Sequence, residues 1–206
     1  MRSSSSLPFD ADHIRQIVDY PRDTEKLLQR SIRGIYTDRR IFRQEMLDAH
    51  NYYRARHCVP PLVNDTNLTV AAQNYSDYLI RTNKFVHSGV DEGENLAAYS
   101  NTGGITGYTG KNHFCQAFEL KLISLYTIGQ WPTDRWYNEV SKYKYNPGGF
   151  SLATGHFTQL VWKDSTRLGV GISYNVNRTR VVVVARYSPP GNYEGEYQDN
   201  VLRPNC

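Results

Sequence analysis

From Asp38 the apolar residues fall into a helical rhythm: Phe42, Met46, Ala49 and Tyr53 recur at spacings of four, three and four, the stripe of a helix with one buried face. The stripe stops near Val59, because Pro60 and Pro61 lack an amide proton and disfavour helix in the residue before them. Leu68, Ala71, Ala72, Tyr75 and Leu79 mark a second helix, with Asp65 or Thr66 as its cap. Both helices read as core-covering elements. Further on, the segment Gly155 to Trp162 alternates: His156, Thr158, Leu160 and Trp162 would share one face of a strand, and Phe157, Gln159 and Val161 the other. A Pro-Gly-Gly turn at Pro147 to Gly149 leads toward it. Leu168 to Tyr174 predicts a second strand, and Arg180 to Tyr187 a third, whose unbroken β-branched run requires cover on both faces. Helices on both sides of a small, mainly antiparallel sheet predict an α+β fold of the α-β-α sandwich type.

Two stretches stand apart from this pattern. Residues 1–37 form an N-terminal extension with a polar start and moderately helical spacing, expected to give one or two short helices, docked or mobile. Between Gly103 and Gly129 a Gly/Thr-rich loop precedes an apolar, helix-prone run, Phe114 to Tyr126, within the domain that occupies residues 38–206.

A chain of 206 residues suits one domain with an appendage, and 39% hydrophobic residues with 16 tyrosines describe an ordered, globular chain. The charge of +4 is mildly basic, but Lys and Arg are scattered with no run of five. That is the pattern of a solvated surface, with no nucleic-acid partner expected and an anionic lipid surface as the polyanion most compatible with it. Three cysteines, Cys58, Cys115 and Cys206, are too few for a disulfide framework and point to a reducing compartment. Met1 to Asp10 has no apolar run of a secretory signal, no stretch approaches a membrane span, and Arg2 stands where myristoylation needs glycine. An intracellular location is expected, cytoplasmic or peripheral on membranes, where the sequons at Asn64, Asn67, Asn74 and Asn177 stay unmodified.

The segment Gly155-His156-Phe157-Thr158-Gln159-Leu160-Val161-Trp162, together with Val182 to Tyr193, resembles the two signature motifs of the CAP superfamily, or SCP domain: cysteine-rich secretory proteins, antigen 5 and plant pathogenesis-related protein 1. The first motif matches throughout, and the second departs once, at Ala185, where disulfide-rich members carry cysteine. His50 to Arg54, Phe85 to Ser88, Gly93 to Ala97 and Thr133 to Val140, the last as a helix, also resemble family segments, and Asp199 to Pro204 is similar to the ending of the Golgi-associated plant pathogenesis-related group. The family joins the motifs around residues 103–129 by a much shorter link, so that stretch is either an inserted helix or untranslated sequence.

What the resemblance implies is a central cleft at which His87, Glu94, Glu139 and His156 occupy the four family positions. Two imidazoles, His87 and His156, would ligate Zn²⁺ through one nitrogen each, with the carboxylates orienting the rings. Two firm ligands fall short of the three of catalytic zinc sites, so weak, exchangeable binding is expected and no cofactor is obligatory. A peptidase reading would make Glu94 or Glu139 a general base, yet the chain has no HExxH, no nucleophile elbow and no evident oxyanion hole, and Cys58 has no predicted base. The expected function is a non-enzymatic binding module for lipid or a membrane surface, with a metal-dependent peptidase and a dimerising protein-interaction module as alternatives. Sterol binding does not carry over, because the sterol-binding loop of other members lies in the link replaced here by Gly103 to Gly129.

Overall fold

The computed structural model describes residues 39–100 and 130–205; the N-terminal extension and the insertion at 103–129 lie outside them. Helix α1, Arg39–Arg56, buries Phe42, Met46 and Ala49 as its spacing predicts, and adds His50 and Arg54 to the buried face. It ends four residues before Pro60, where His57 and Val59 donate back to the Arg54 carbonyl and Cys58 takes a positive φ of 53°. Arg54 is fully buried, and its guanidinium donates to the carbonyls of Pro60, Leu160, Trp162 and Ser165 at 2.8–3.0 Å, tying the chain that follows the first motif onto α1. The short strand β1, Val63–Asn64, leads to helix α2, Thr66–Thr82, which starts at Asp65: its carboxylate accepts the Leu68 amide at 3.0 Å.

Strand β2, Gly93–Ser100, follows the loop that carries His87. Helix α3, Gln130–Tyr137, runs on into a 3₁₀ turn, Asn138–Lys142, and helix α4, Gly155–Leu160, comes next. Strands β3, Arg167–Tyr174, and β4, Arg180–Ser188, and helix α5, Tyr197–Asn200, complete the described chain. The sheet order is β1-β3-β4-β2, with β1 parallel to β3 and the longer pairs antiparallel.

Strand β4 is the spine of the sandwich. Val181, Val183, Ala185 and Tyr187 join the larger core with α1, α3 and α4, whereas Val182 and Val184 join the smaller core under α2. This is the two-sided burial that its β-branched run requires. On the same face as the smaller core, Gly169 and Gly171 of β3 lie so close to α2 that a Cβ at either would overlap the backbone at Leu68 and Ala72. Missing side chains there let the helix rest directly on the sheet.

The segment at Gly155 is not the opening strand that its alternation predicts but the helix α4. Phe157, Thr158, Gln159 and Leu160 are buried in succession rather than alternately. In a run this short the two periods cannot be told apart, and the tertiary contacts decide. The Glu139 side chain accepts the first amides, and Arg54 takes the carbonyls at the far end, so the backbone groups are satisfied without a partner strand.

Candidate functional site

His87 lies in the loop between α2 and β2. The αL residue Asn83 (φ 54°) ends α2, and the Tyr75 hydroxyl donates to the Val86 carbonyl at 2.7 Å, pinning the loop beside the helix. Glu94, the second residue of β2, is almost buried and accepts four groups: His87 Nδ1 at 2.8 Å, the Ser88 amide at 3.0 Å, the Ser88 hydroxyl at 2.7 Å and, as an ion pair, Arg186 Nη2 at 3.5 Å. Arg186 faces Glu94 across the β2–β4 register, pairs more closely with Glu92 at 2.6 Å, and lies over the Tyr75 ring. Burial works to raise the Glu94 carboxyl, but the hydrogen bonds from His87 and Ser88 outweigh it and hold the group below the ordinary carboxylate range. The same bond to Glu94 raises the His87 imidazole above its ordinary value. The His87 side chain itself is 61% exposed, so its outer nitrogen faces solvent.

Glu139 and His156 form the second pair. Glu139 sits in the 3₁₀ turn after α3, and its carboxylate accepts His156 Nδ1 at 2.8 Å, the His156 amide at 3.1 Å and the Phe157 amide at 3.2 Å. One carboxylate therefore caps α4 and orients the histidine that opens it. Trp136 stacks on the His156 ring with centroids 6.2 Å apart and planes within 15°, while its indole nitrogen donates to the Leu96 carbonyl at 3.1 Å. The second motif holds α4 from the other side: Thr158 donates to Asn192 Oδ1 at 2.6 Å, Asn192 donates to the Gly155 carbonyl, and the Gly191 amide donates to Gln159 at 2.9 Å. The two motifs are thus one packed unit.

The structure sorts the four residues into two pairs, His87 with Glu94 and His156 with Glu139. Among the described residues no hydrogen bond or ion pair joins one pair directly to the other; the link runs through Asn95, whose Nδ2 donates to the His156 carbonyl at 3.0 Å. Carboxylates only accept, so neutral His87 and His156 each carry the proton on Nδ1 and present Nε2 as a lone pair, the nitrogen able to ligate a metal. Among the described residues no group of three or more His, Cys, Asp and Glu has the arrangement of a metal site. In each imidazole Nδ1 is bound to a carboxylate, and Nε2 is the nitrogen that remains for a ligand.

Arg186, Ser88, Asn95 and Trp136 escaped the sequence reading. Asn95 had a signal: it directly follows Glu94 in a strand, so it must point to the opposite face. The long-range partnerships of Arg186 and Trp136 left none. Cys58 is disulfide-bonded, and its partner, Cys115 or Cys206, lies outside the described residues. No helix among the described residues is long and apolar enough to cross a membrane.

The sequence profile described as "CAP: Cysteine-rich secretory protein family" matches residues 47–187. The chain is 38% identical over 165 residues to the human Golgi-associated plant pathogenesis-related protein 1, an alignment that covers 79% of this chain and 94% of that protein. Among solved structures, BmVAL-1 superposes with a TM-score of 0.55 at 22% identity, covering 74% of this chain and 78% of that one. NaASP2, solved with Zn²⁺, superposes with a TM-score of 0.51 at 18% identity, covering 79% and 85%. These two likenesses concern the fold.

Proposed function

The chain belongs to the CAP family of cysteine-rich secretory proteins, and from that premise we propose that it is a non-enzymatic binding module that takes up lipid or a membrane surface beside an exchangeable zinc site. The observation that carries this reading is the engagement of both carboxylates with the histidines. Glu94 accepts from His87, Ser88 and Arg186, and Glu139 from His156 and the Phe157 amide, so both carboxylates are engaged in holding the histidines and the backbone beside them. A general base also needs a carboxyl raised toward the working pH, and Glu94 is held down. Both groups instead do what carboxylates behind metal-binding imidazoles do: they set the tautomer and the ring orientation.

Lipid or a membrane surface is favoured by the apolar residues around the two histidines. Phe85, Val86 and Val90 flank His87, and Phe150 and Leu152 precede His156, all of them exposed. Lys84 and Arg81 beside the first group are exposed cations suited to anionic headgroups. The 38%-identical relative is by its name Golgi-associated, which supports a peripheral position on an intracellular membrane for this chain too.

Zinc titration by calorimetry of the full chain beside His87→Ala and His156→Ala tests the first half. Loss of heat in both variants is expected; equal heat in all three would make the pair structural. Co-sedimentation with vesicles containing phosphatidylserine, with and without high salt, tests the second half, and Phe85→Asp and Leu152→Asp are expected to weaken it. The absence of salt-sensitive binding would remove the membrane reading.

A further inference from the structure

A buried chain of hydrogen bonds runs from α1 to the second pair. His50 Nδ1 lies 2.6 Å from the Met46 carbonyl, and since a carbonyl only accepts, Nδ1 carries the proton. His50 Nε2 is then an acceptor, and the Tyr187 hydroxyl 2.8 Å away must donate to it. That leaves the Tyr187 oxygen to accept from Asn95 Nδ2 at 3.1 Å, and the other proton of the same amide goes to the His156 carbonyl at 3.0 Å. Every direction in the chain follows from the one carbonyl at its origin. His50, Asn95 and Tyr187 are at most 1% exposed, so no water substitutes for a missing partner without entering the core.

Asn95 is also the neighbour of Glu94 on β2. Its amide reaches His156 on the face of the sheet that carries α1, α3 and α4, while the Glu94 carboxylate reaches His87 through the opposite face, as strand alternation dictates. We propose that Asn95, locked by Tyr187 and His50, is the positioning residue that sets the separation of the two histidine–glutamate pairs. The two residues 94 and 95 are one rigid peptide unit, so a fixed Asn95 amide transmits the placement of β2 to the first turn of α4. A two-ligand metal site depends on the distance between its imidazoles, so this residue decides whether the pairs work as one site. The inference rests on the zinc reading for its consequence but not for its geometry.

The experiment separates the two. In metal-free protein, amide exchange is measured by NMR at His156 and Phe157, which donate to Glu139, and at Ser88, which donates to Glu94. The variants are Asn95→Leu, similar in volume but without donors, and Tyr187→Phe, which keeps the Asn95 side chain and removes its anchor. Leu79→Ala, in the smaller core, is the control for general loss of stability. Expected is an acceleration at residues 156 and 157 of about tenfold or more beyond the control, with Ser88 following the control. Exchange at 156 and 157 no faster than in Leu79→Ala overturns the proposal. Zinc titration of the same proteins reads the consequence: a loss of about tenfold or more in Asn95→Leu is expected, with Leu79→Ala near wild type. If wild type takes up no zinc, the functional reading fails while the exchange data still decide the role of Asn95.

Discussion

Replacing Glu139 by glutamine exposes the logic of the second pair most directly. The carboxylate receives three hydrogen bonds, two from the backbone amides that open α4 and one from His156 Nδ1. Bonds to a charged acceptor contribute about 1.5–3 kcal/mol each and neutral ones about 0.5–1.5. In Glu139→Gln the amide oxygen keeps the two backbone donors at neutral strength, a loss near 1 kcal/mol for each. The amide nitrogen then faces His156 Nδ1, two donors meet, and the ring relieves the clash by moving its proton to Nε2. With the Glu139 side chain 20% exposed, solvent trims the total, and we expect about 2 kcal/mol by urea denaturation at neutral pH. The sharper readout is the tautomer. In wild type the ¹⁵N shifts of His156 are expected to place the proton on Nδ1; in Glu139→Gln they are expected to place it on Nε2, which closes the metal-binding nitrogen and lowers zinc affinity about tenfold or more. An unchanged tautomer, or unchanged stability, would refute the claim that this carboxylate both caps the helix and orients the ring.

The remaining predictions concern acid, packing and redox state. Burial pushes the His50 imidazole down to about 4 and lowers His57 as well, so the unfolded chain takes up protons that the folded one does not; stability falls from pH 6.5 toward pH 4, by about 3 kcal/mol for His50. His87 acts in the opposite sense, its contribution being full below pH 6.5 and lost as pH rises through its raised folded value. Urea midpoints from pH 7 to 4.5 should show a steeper acid decline in wild type than in His50→Gln, and equal slopes would contradict the assignment. Gly171→Ala places a methyl in the Ala72 backbone, and a loss of about 1–3 kcal/mol is expected in the same assay; a neutral effect would mean that α2 does not rest on β3 this closely. Alkylation and intact-mass analysis of the unreduced, denatured protein should find one free thiol among three cysteines, and three free thiols would exclude the disulfide at Cys58.

The unbroken apolar run of β4 and the spacing in α1 and α2 were readable because a strand buried on both faces leaves a run and a helix buried on one face leaves a stripe, and burial is what apolar patterning records. The cap at Asp65 was readable for a similar reason, since side chain and amide are three residues apart. Where apolar and polar residues are all buried together, the record fails. The segment from Gly155 shows it: Thr158 and Gln159 are as buried as Phe157 and Leu160, so the pattern carries no period, and a strand was predicted where a helix forms. Strand β2 was recognised only as a familiar segment, because Gly93, Glu94 and Asn95 do not look like strand residues until their partners are in place.

By itself the sequence determined the layers, the family and the identity of the two histidines and two glutamates, all properties of residue type and local spacing. Tertiary structure alone decided that the four divide into two pairs, that each carboxylate is consumed in holding a ring, and that Asn95, Tyr187 and Arg186 stand behind them. Those partners are as many as 137 residues apart along the chain, as His50 and Tyr187 are, and a hydrogen bond depends on distance and direction in space, for which a sequence has no coordinate.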